Sequence, residues 1–303
     1  MLDRLPEHVK VVEVGPRDGL QNEKQPVSTE DKFRFICLLA EAGLRHIELT
    51  SFVKPEAIPQ LADAVELMQR VNAHNFPEGM RFSCLVPNMR RLEKAKEFHV
   101  KEIAVFLAAS DAFSIRNINA NIEASFVRIQ PVMEEALRSG MRVRGYVSTA
   151  FGCPYEGLVP VDKVLAVAAR LLDMGAYEIS LGDTIGIANP LQVRQVLDVI
   201  AAHIPAEKLA MHFHDTYGMA VANILTALEM GITAFDASAG GLGGCPYAKG
   251  ASGNVATEDV LHLLHSMHID TGVQMEKLVK ASQFVLNKLG KESLSKSHHA
   301  FSK

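Results

Sequence analysis

The chain has 303 residues, 48% hydrophobic and 22% charged, which is the composition of an ordinary globular protein. Its 31 basic and 35 acidic side chains leave a net charge of −4 with no basic block or stripe, which argues against a nucleic-acid partner. No apolar run approaches the ~20 residues of a membrane helix. The N-terminus lacks the apolar segment of a secretory signal, and Cys37, Cys84, Cys153 and Cys245 form no CxxC pair, so a reduced, cytoplasmic chain is expected.

Apolar runs alternate with amphipathic stretches along the whole chain. Strand-like runs rich in Val, Ile, Leu and Phe fall at 9–15, 46–52, 81–86, 102–109, 142–149, 177–182, 209–214 and 234–239. Helical periodicity follows them at 29–42, 55–71, 89–98, 122–139, 161–174, 190–203, 217–230 and 255–267. The first helix keeps Phe33, Ile36, Leu39 and Ala40 on one face behind Ser28 as N-cap. Gly43, Gly140, Gly175 and Gly231 stand just past helix ends, where a left-handed cap stops a helix cheaply. Eight strands alternating with eight helices predict an α/β fold, a (β/α)8 TIM barrel. An open doubly wound sheet is the weaker solution, because Gly15-Pro16-Arg17-Asp18-Gly19 after the first strand is not a dinucleotide fingerprint. A further helix is expected at 273–289, so that 1–290 form one catalytic domain and 291–303 a polar tail that frays.

Residues 239–259 carry glycines at 240, 241, 243, 244, 250 and 253, together with Cys245 and Asn254. A loop of this kind between a strand and a helix reads as a site rather than a linker. In such a barrel the active site lies at the C-terminal ends of the strands. Strand one ends there in Arg17-Asp18, strand six in Asp183-Thr184 and strand seven in His212-Phe213-His214-Asp215, while strand two carries Glu48 opposite Ile47 and Leu49. His212 and His214, two apart on a strand, point the same way and can share a divalent cation. The bland reading is a pair of hydrogen-bonded core histidines. Asp18 can add a carboxylate and Asn254 a carbonyl oxygen, and an N/O set without thiolate suits Mg²⁺ or Mn²⁺ better than structural zinc. Arg17 is suited to hold a carbonyl oxygen or carboxylate, and Glu48 to orient Arg17 or a ligand histidine. For Asp183 two readings stand level: handling a proton or orienting a histidine, and capping a helix. The Cys245 thiol can exchange a proton if its pKa is lowered, whereas Cys37, Cys84 and Cys153 read as packing residues.

Four stretches carry a family resemblance: residues 14–23 (VGPRDGLQNE), 180–184 (SLGDT), 212–216 (HFHDT) and 241–247 (GLGGCPY). They resemble the 3-hydroxy-3-methylglutaryl-CoA lyases, within a superfamily of metal-dependent lyase and condensing barrels. The likeness runs from about Val9 to Leu289. It implies Asp18, His212, His214 and Asn254 as ligands of Mg²⁺ or Mn²⁺, Arg17 as the residue stabilising an enolate oxygen, and Cys245 as a catalytic cysteine. It further implies catalytic or supporting roles for Glu48 and Asp183, contact with an acyl-CoA substrate through Asn117, Gln21 and Lys24 (with Arg116 beside them), and a homodimer. Thr149 stands where some members have a cysteine, and no cysteine follows Cys245.

The implied reaction breaks the C2–C3 bond of 3-hydroxy-3-methylglutaryl-CoA to give acetyl-CoA and acetoacetate, a step of leucine catabolism and ketone-body formation. Asp18 or His212 would take the hydroxyl proton, and Cys245 would protonate the enolate carbon. The alternatives are a lyase for a longer branched 3-hydroxyacyl-CoA, a condensing synthase of the same superfamily, a zinc hydrolase and a silent barrel scaffold. Hydrolase barrels with His-x-His carry it on the first strand; here it is on the seventh.

Overall fold

Eight parallel strands pair in sequence order and the last returns to the first, leaving no sheet edge. A computed structural model describes residues 5–53, 56, 58–244 and 253–302. The strands are β1 (Lys10–Glu13), β2 (His46–Ser51), β3 (Arg81–Leu85), β4 (Glu102–Ala108), β5 (Arg142–Ser148), β6 (Glu178–Asp183), β7 (Leu209–Phe213) and β8 (Ala234–Ala237). All eight lie within the runs read from the sequence except at the end of β6, where Asp183 is still strand. The register Lys10↔Ala234 to Glu13↔Ala237 closes the barrel.

The helices that follow the strands are α1 (Thr29–Glu41), α2 (Ala64–Ala73), α3 (Met89–Glu97), α5 (Ile122–Arg138), α6 (Val161–Asp173), α7 (Pro190–Ala201), α8 (Ala220–Glu229) and α9 (Thr257–Ser266). Ser28 caps α1 by accepting from the Asp31 N–H, as its position suggested. The four helix-stop glycines all have positive φ, from 76° at Gly140 to 104° at Gly43.

Three departures have physical causes. Of the helix expected over 55–71, residues 55 and 57 lie outside the described residues; from Pro59 the chain makes a 3-10 turn, Pro59–Leu61, followed by the shorter α2, because Pro59 starts a new turn rather than continuing one. A short helix after β4, α4 (Asp111–Ile118), was not anticipated; Ser110 caps it, and its eight residues are too few for a clear period. The polar tail is not frayed. After α10 (Met275–Leu289) ends at Gly290, residues 291–302 fold back and form α11 (Lys296–Phe301), which buries Ser297 and His298.

The apolar core lies between the outer strand faces and the helices, where Phe35, Ile47, Val105, Val147, Leu181 and Phe235 are all buried. The barrel lumen is different. One side holds a small apolar cluster of Leu85, Ala104 and Tyr146 with Phe106 against it. The other is filled by paired charges that run towards the C-terminal rim.

Candidate metal centre and active site

After β1 the chain makes one π-helical turn, Gly15–Gly19. The N–H groups of Arg17, Asp18 and Gly19 all converge on the Val14 carbonyl, at 3.2, 2.7 and 3.0 Å. The turn sits hard against the end of β8: a Cβ on Gly19 would lie 2.6 Å from Ser238 Oγ. It delivers Arg17, buried, and Asp18, half-buried, to the rim. β7 supplies His212 and, one residue past its end, His214, with ring centres 5.3 Å apart. The chain leaving the Gly-rich stretch is pinned beside them, since Val255 N–H donates to the Phe213 carbonyl at 3.0 Å and Asn254 bridges His214. Asn254 Nδ2 donates to Asp18 Oδ2 at 2.9 Å and to the Leu242 carbonyl at 3.0 Å. Residues 236 positions apart in sequence thus meet at one point.

Ligand atoms of Asp18, His212 and His214 lie within 4.8 Å of one another. His214 Nδ1 and Asn254 Oδ1 are buried without a hydrogen-bond partner. Two orphaned polar atoms beside a carboxylate fit a cation, and one carboxylate, two imidazoles and a carboxamide form a donor set for a divalent ion. Asp18 and His214 have the protonation states that ligands need, while Asp236 pulls His212 the other way. Burial raises the Asp18 pKa, but Arg17 and the two histidines overcome it and bring it to about 2. Burial, with the neighbouring His212, lowers His214 to about 4, so its ring is a neutral donor at neutral pH. Burial also works against protonated His212, yet the bond from Nδ1 to Asp236 Oδ2, 3.2 Å, leaves its pKa raised.

Arg17 is held from both sides. Its Nε pairs with Glu48 Oε1, and its NH1 donates to Asp18 Oδ1 at 2.6 Å. Burial disfavours its charge, and Glu48 and Asp18 restore it. Glu48 thus pairs with Arg17 directly. Its second oxygen accepts from Tyr146 OH at 2.9 Å, and Tyr146 OH accepts from Arg144 NH1 at 2.9 Å.

Arg144 is the hub that the sequence reading missed. It is 2% exposed; Nε pairs with Glu178 Oε1 at 2.7 Å and NH2 with Asp236 Oδ1 at 2.8 Å. Glu178 is paired in turn with Lys10, and Asp236 accepts from Ser180 Oγ at 2.7 Å. One guanidinium thus steadies His212 through Asp236, and Arg17 through Tyr146 and Glu48. The signal was present: Arg144, Glu178 and Asp236 are charges inside strands of a closed barrel, which must find partners in the lumen.

Asp183 is 1% exposed and accepts from the Ile187 and Ala188 N–H groups, both at 3.0 Å. It braces the β6–α7 loop, while Asn189 is the cap of α7. It makes no hydrogen bond to the cluster. Burial raises its pKa to about 6 against those backbone donors. Gln21 and Lys24 follow the first turn, and Asn117 lies on α4; all three are on the C-terminal side of the barrel and are partly or fully exposed. Arg116 lies over the Tyr155 ring at 4.3 Å. Cys245 lies outside the described residues.

A parallel eight-stranded barrel with this donor set at the C-terminal ends of its strands belongs to the class of barrel enzymes equipped to work with a divalent cation. The chain is a member of the HMGL-like family, whose model matches residues 8–285. A Pseudomonas aeruginosa protein named 3-hydroxy-3-isohexenylglutaryl-CoA/hydroxy-methylglutaryl-CoA lyase is 51% identical over 296 residues, covering 98% of each chain. The crystal structure of hydroxymethylglutaryl-CoA lyase from Pseudomonas aeruginosa superposes with a TM-score of 0.96 at 50% identity, covering 100% of this chain and 99% of that one. The Bacillus subtilis HMG-CoA lyase structure gives 0.95 at 46% identity, covering 99% of both chains.

Proposed function

We propose that this protein is a divalent-metal-dependent carbon–carbon lyase that cleaves 3-hydroxy-3-methylglutaryl-CoA to acetyl-CoA and acetoacetate. The observation that carries the reading is the meeting of Asp18, His212, His214 and Asn254 beside a doubly held Arg17. Held by those four, Mg²⁺ or Mn²⁺ would polarise the substrate's tertiary hydroxyl. The chain's own groups do the rest. Asp183, at the C-terminal end of β6 with its pKa raised to about 6 by burial, would take the hydroxyl proton near neutral pH. As the C2–C3 bond breaks, its electrons pass to the thioester oxygen as an enolate and the hydroxyl carbon becomes the ketone of acetoacetate. Arg17, fixed by Glu48 before substrate arrives, meets that negative charge without reorganising. Cys245 returns a proton to the enolate carbon, a role that rests on the family resemblance. Asn117, Gln21 and Lys24 would contact the coenzyme A portion.

The decisive assay supplies 3-hydroxy-3-methylglutaryl-CoA with and without EDTA. Metal-dependent release of acetyl-CoA and acetoacetate is expected; no release with Mg²⁺ or Mn²⁺ present overturns the proposal. A second reading has a specific support, the isohexenyl activity in the name of the 51%-identical relative. A higher kcat/KM for the isohexenyl substrate would favour it. A homodimer and a cytoplasmic location complete the proposal. Cys37, Cys84 and Cys153 are free thiols, consistent with a reducing compartment, and no helix among the described residues is long and apolar enough to cross a membrane.

A further inference from the structure

The C-terminal segment is docked without a hydrophobic reason. Its large apolar side chains, Leu294 and Phe301, are 65% and 45% exposed, while His298 is 2% exposed. Polar contacts hold it instead. Lys291 Nζ pairs with the Glu23 carboxylate at 2.7 Å, and Asp259 Oδ1 accepts from Ser295 Oγ and the Ser297 N–H, both at 2.9 Å. His298 Nδ1 lies 3.0 Å from Ser282 Oγ and 3.5 Å from Glu258 Oε1, and its Nε2 lies 3.1 Å from Gln283 Oε1.

Glu258 leads from there to the rim. It is 0% exposed, and its two oxygens accept from the Gly240 N–H at 3.1 and 2.9 Å. The Gly240 carbonyl accepts from the Leu294 N–H at 3.2 Å, so the C-terminal segment holds this residue directly, and His298 stands 3.5 Å from the Glu258 carboxylate that holds the Gly240 N–H. Gly240 has φ +69° and a Cβ there would lie 2.9 Å from Leu286 Cδ1, so the turn is tightly seated. Two residues on, the Leu242 carbonyl accepts from Asn254 Nδ2 at 3.0 Å. That bond, together with the one to Asp18 Oδ2 at 2.9 Å, turns the carboxamide so that Nδ2 is occupied and Oδ1 is the atom left without a partner.

We propose that His298 is a positioning residue for the metal centre. Through Glu258, Gly240 and Leu242 it sets the direction in which Asn254 presents its carboxamide oxygen. The inference rests on Asn254 Oδ1 being a metal ligand, not on turnover, so it is tested by binding. Mn²⁺ affinity of the full chain, measured from the free-ion electron paramagnetic resonance signal, should weaken about three- to ten-fold in His298→Leu. That is less than the ~10–100-fold typical of a partner touching the ligand itself, because this effect passes through intervening groups. His298→Asn keeps a donor near the place of Nδ1 and should bind within about two-fold of wild type. In an Asn254→Ala background, His298→Leu should cost nothing further, since the oxygen it aims is gone. Unchanged affinity in His298→Leu overturns the inference. So does an equal loss in the Asn254→Ala background, or a His298→Asn variant as impaired as His298→Leu, either of which marks a merely structural role. A wild-type chain that binds no Mn²⁺ overturns the metal centre itself, and this inference with it.

Discussion

Replacing Arg144 with methionine tests whether the lumen charges act as one unit. The side chain is 2% exposed and pairs with Glu178 and Asp236 at 2.7 and 2.8 Å. Removing one partner of a buried ion pair costs about 3–5 kcal/mol, because the other charge is stranded. The low end applies here, since Lys10 still faces Glu178, and Ser180 and His212 still face Asp236. At ~2–4 °C per kcal/mol for a large domain, a fall in Tm of about 6–12 °C follows. The pH dependence gives a sharper signature. In the wild type burial raises the Asp236 pKa, but Arg144 and His212 overcome it and hold the group below the usual carboxylate range. Without Arg144 burial dominates, and the folded pKa of Asp236 moves up. A group raised in the folded state contributes stability at low pH and loses it as pH rises through that value, so the mutant's deficit should be smaller at about pH 5.5 than at about pH 8. Urea unfolding of both chains at the two pH values measures this. A methionine variant with wild-type stability, or a deficit that grows as pH falls, would refute the reasoning.

The remaining predictions concern groups around the same rim. Asp236→Asn should weaken Mn²⁺ binding about 10–100-fold by loosening His212, with a smaller effect on Tm than Arg144→Met; unchanged binding by calorimetry would contradict it. Glu13 is fully buried and accepts from Gly15, Ala239 and Thr257, and burial with help from Glu258 raises its pKa from 4.5 to about 7. Its contribution is complete below pH 4.5 and is lost as pH rises through about 7, a change of about 3 kcal/mol. Glu13→Gln should flatten that slope in urea unfolding, and a slope equal to wild type would exclude Glu13 as its source. Asp183→Asn should lower kcat about 10²–10⁴-fold. With a base at about 6, wild-type kcat should rise with pH through that value, and the variant should lack the rise. A pH–rate profile that keeps the same limb would move the base elsewhere.

How legible the protein was depended on whether a feature is local or shared between strands. The barrel could be read because its period is local: each strand carries its own apolar run, and Gly43, Gly140, Gly175 and Gly231 mark helix ends within a few residues. The donor cluster could be read because His212 and His214 stand two apart at the end of one strand and Asp18 lies in the turn that follows another. For Arg144 and Asp236 the sequence carried a signal, charges inside barrel strands, but not the pairing, for the opposite reason. Each looks like an ordinary charge until β5, β6, β7 and β8 are side by side. The tail failed similarly: residues 291–302 are polar, so no periodicity announces that Asp259 and Glu258 receive them. Asp183 had two readings at the outset, and its hydrogen bonds reveal a third, a brace within its own loop, that only the loop's path could supply.

The most direct test is the position of the cation. A crystal of the protein soaked in Mn²⁺ should show one strong anomalous peak at the barrel rim. It should lie about 2.0–2.4 Å from an Asp18 carboxylate oxygen, one ring nitrogen each of His212 and His214, and Asn254 Oδ1. A rim without a peak, or a peak that leaves either histidine uncoordinated, would contradict the account.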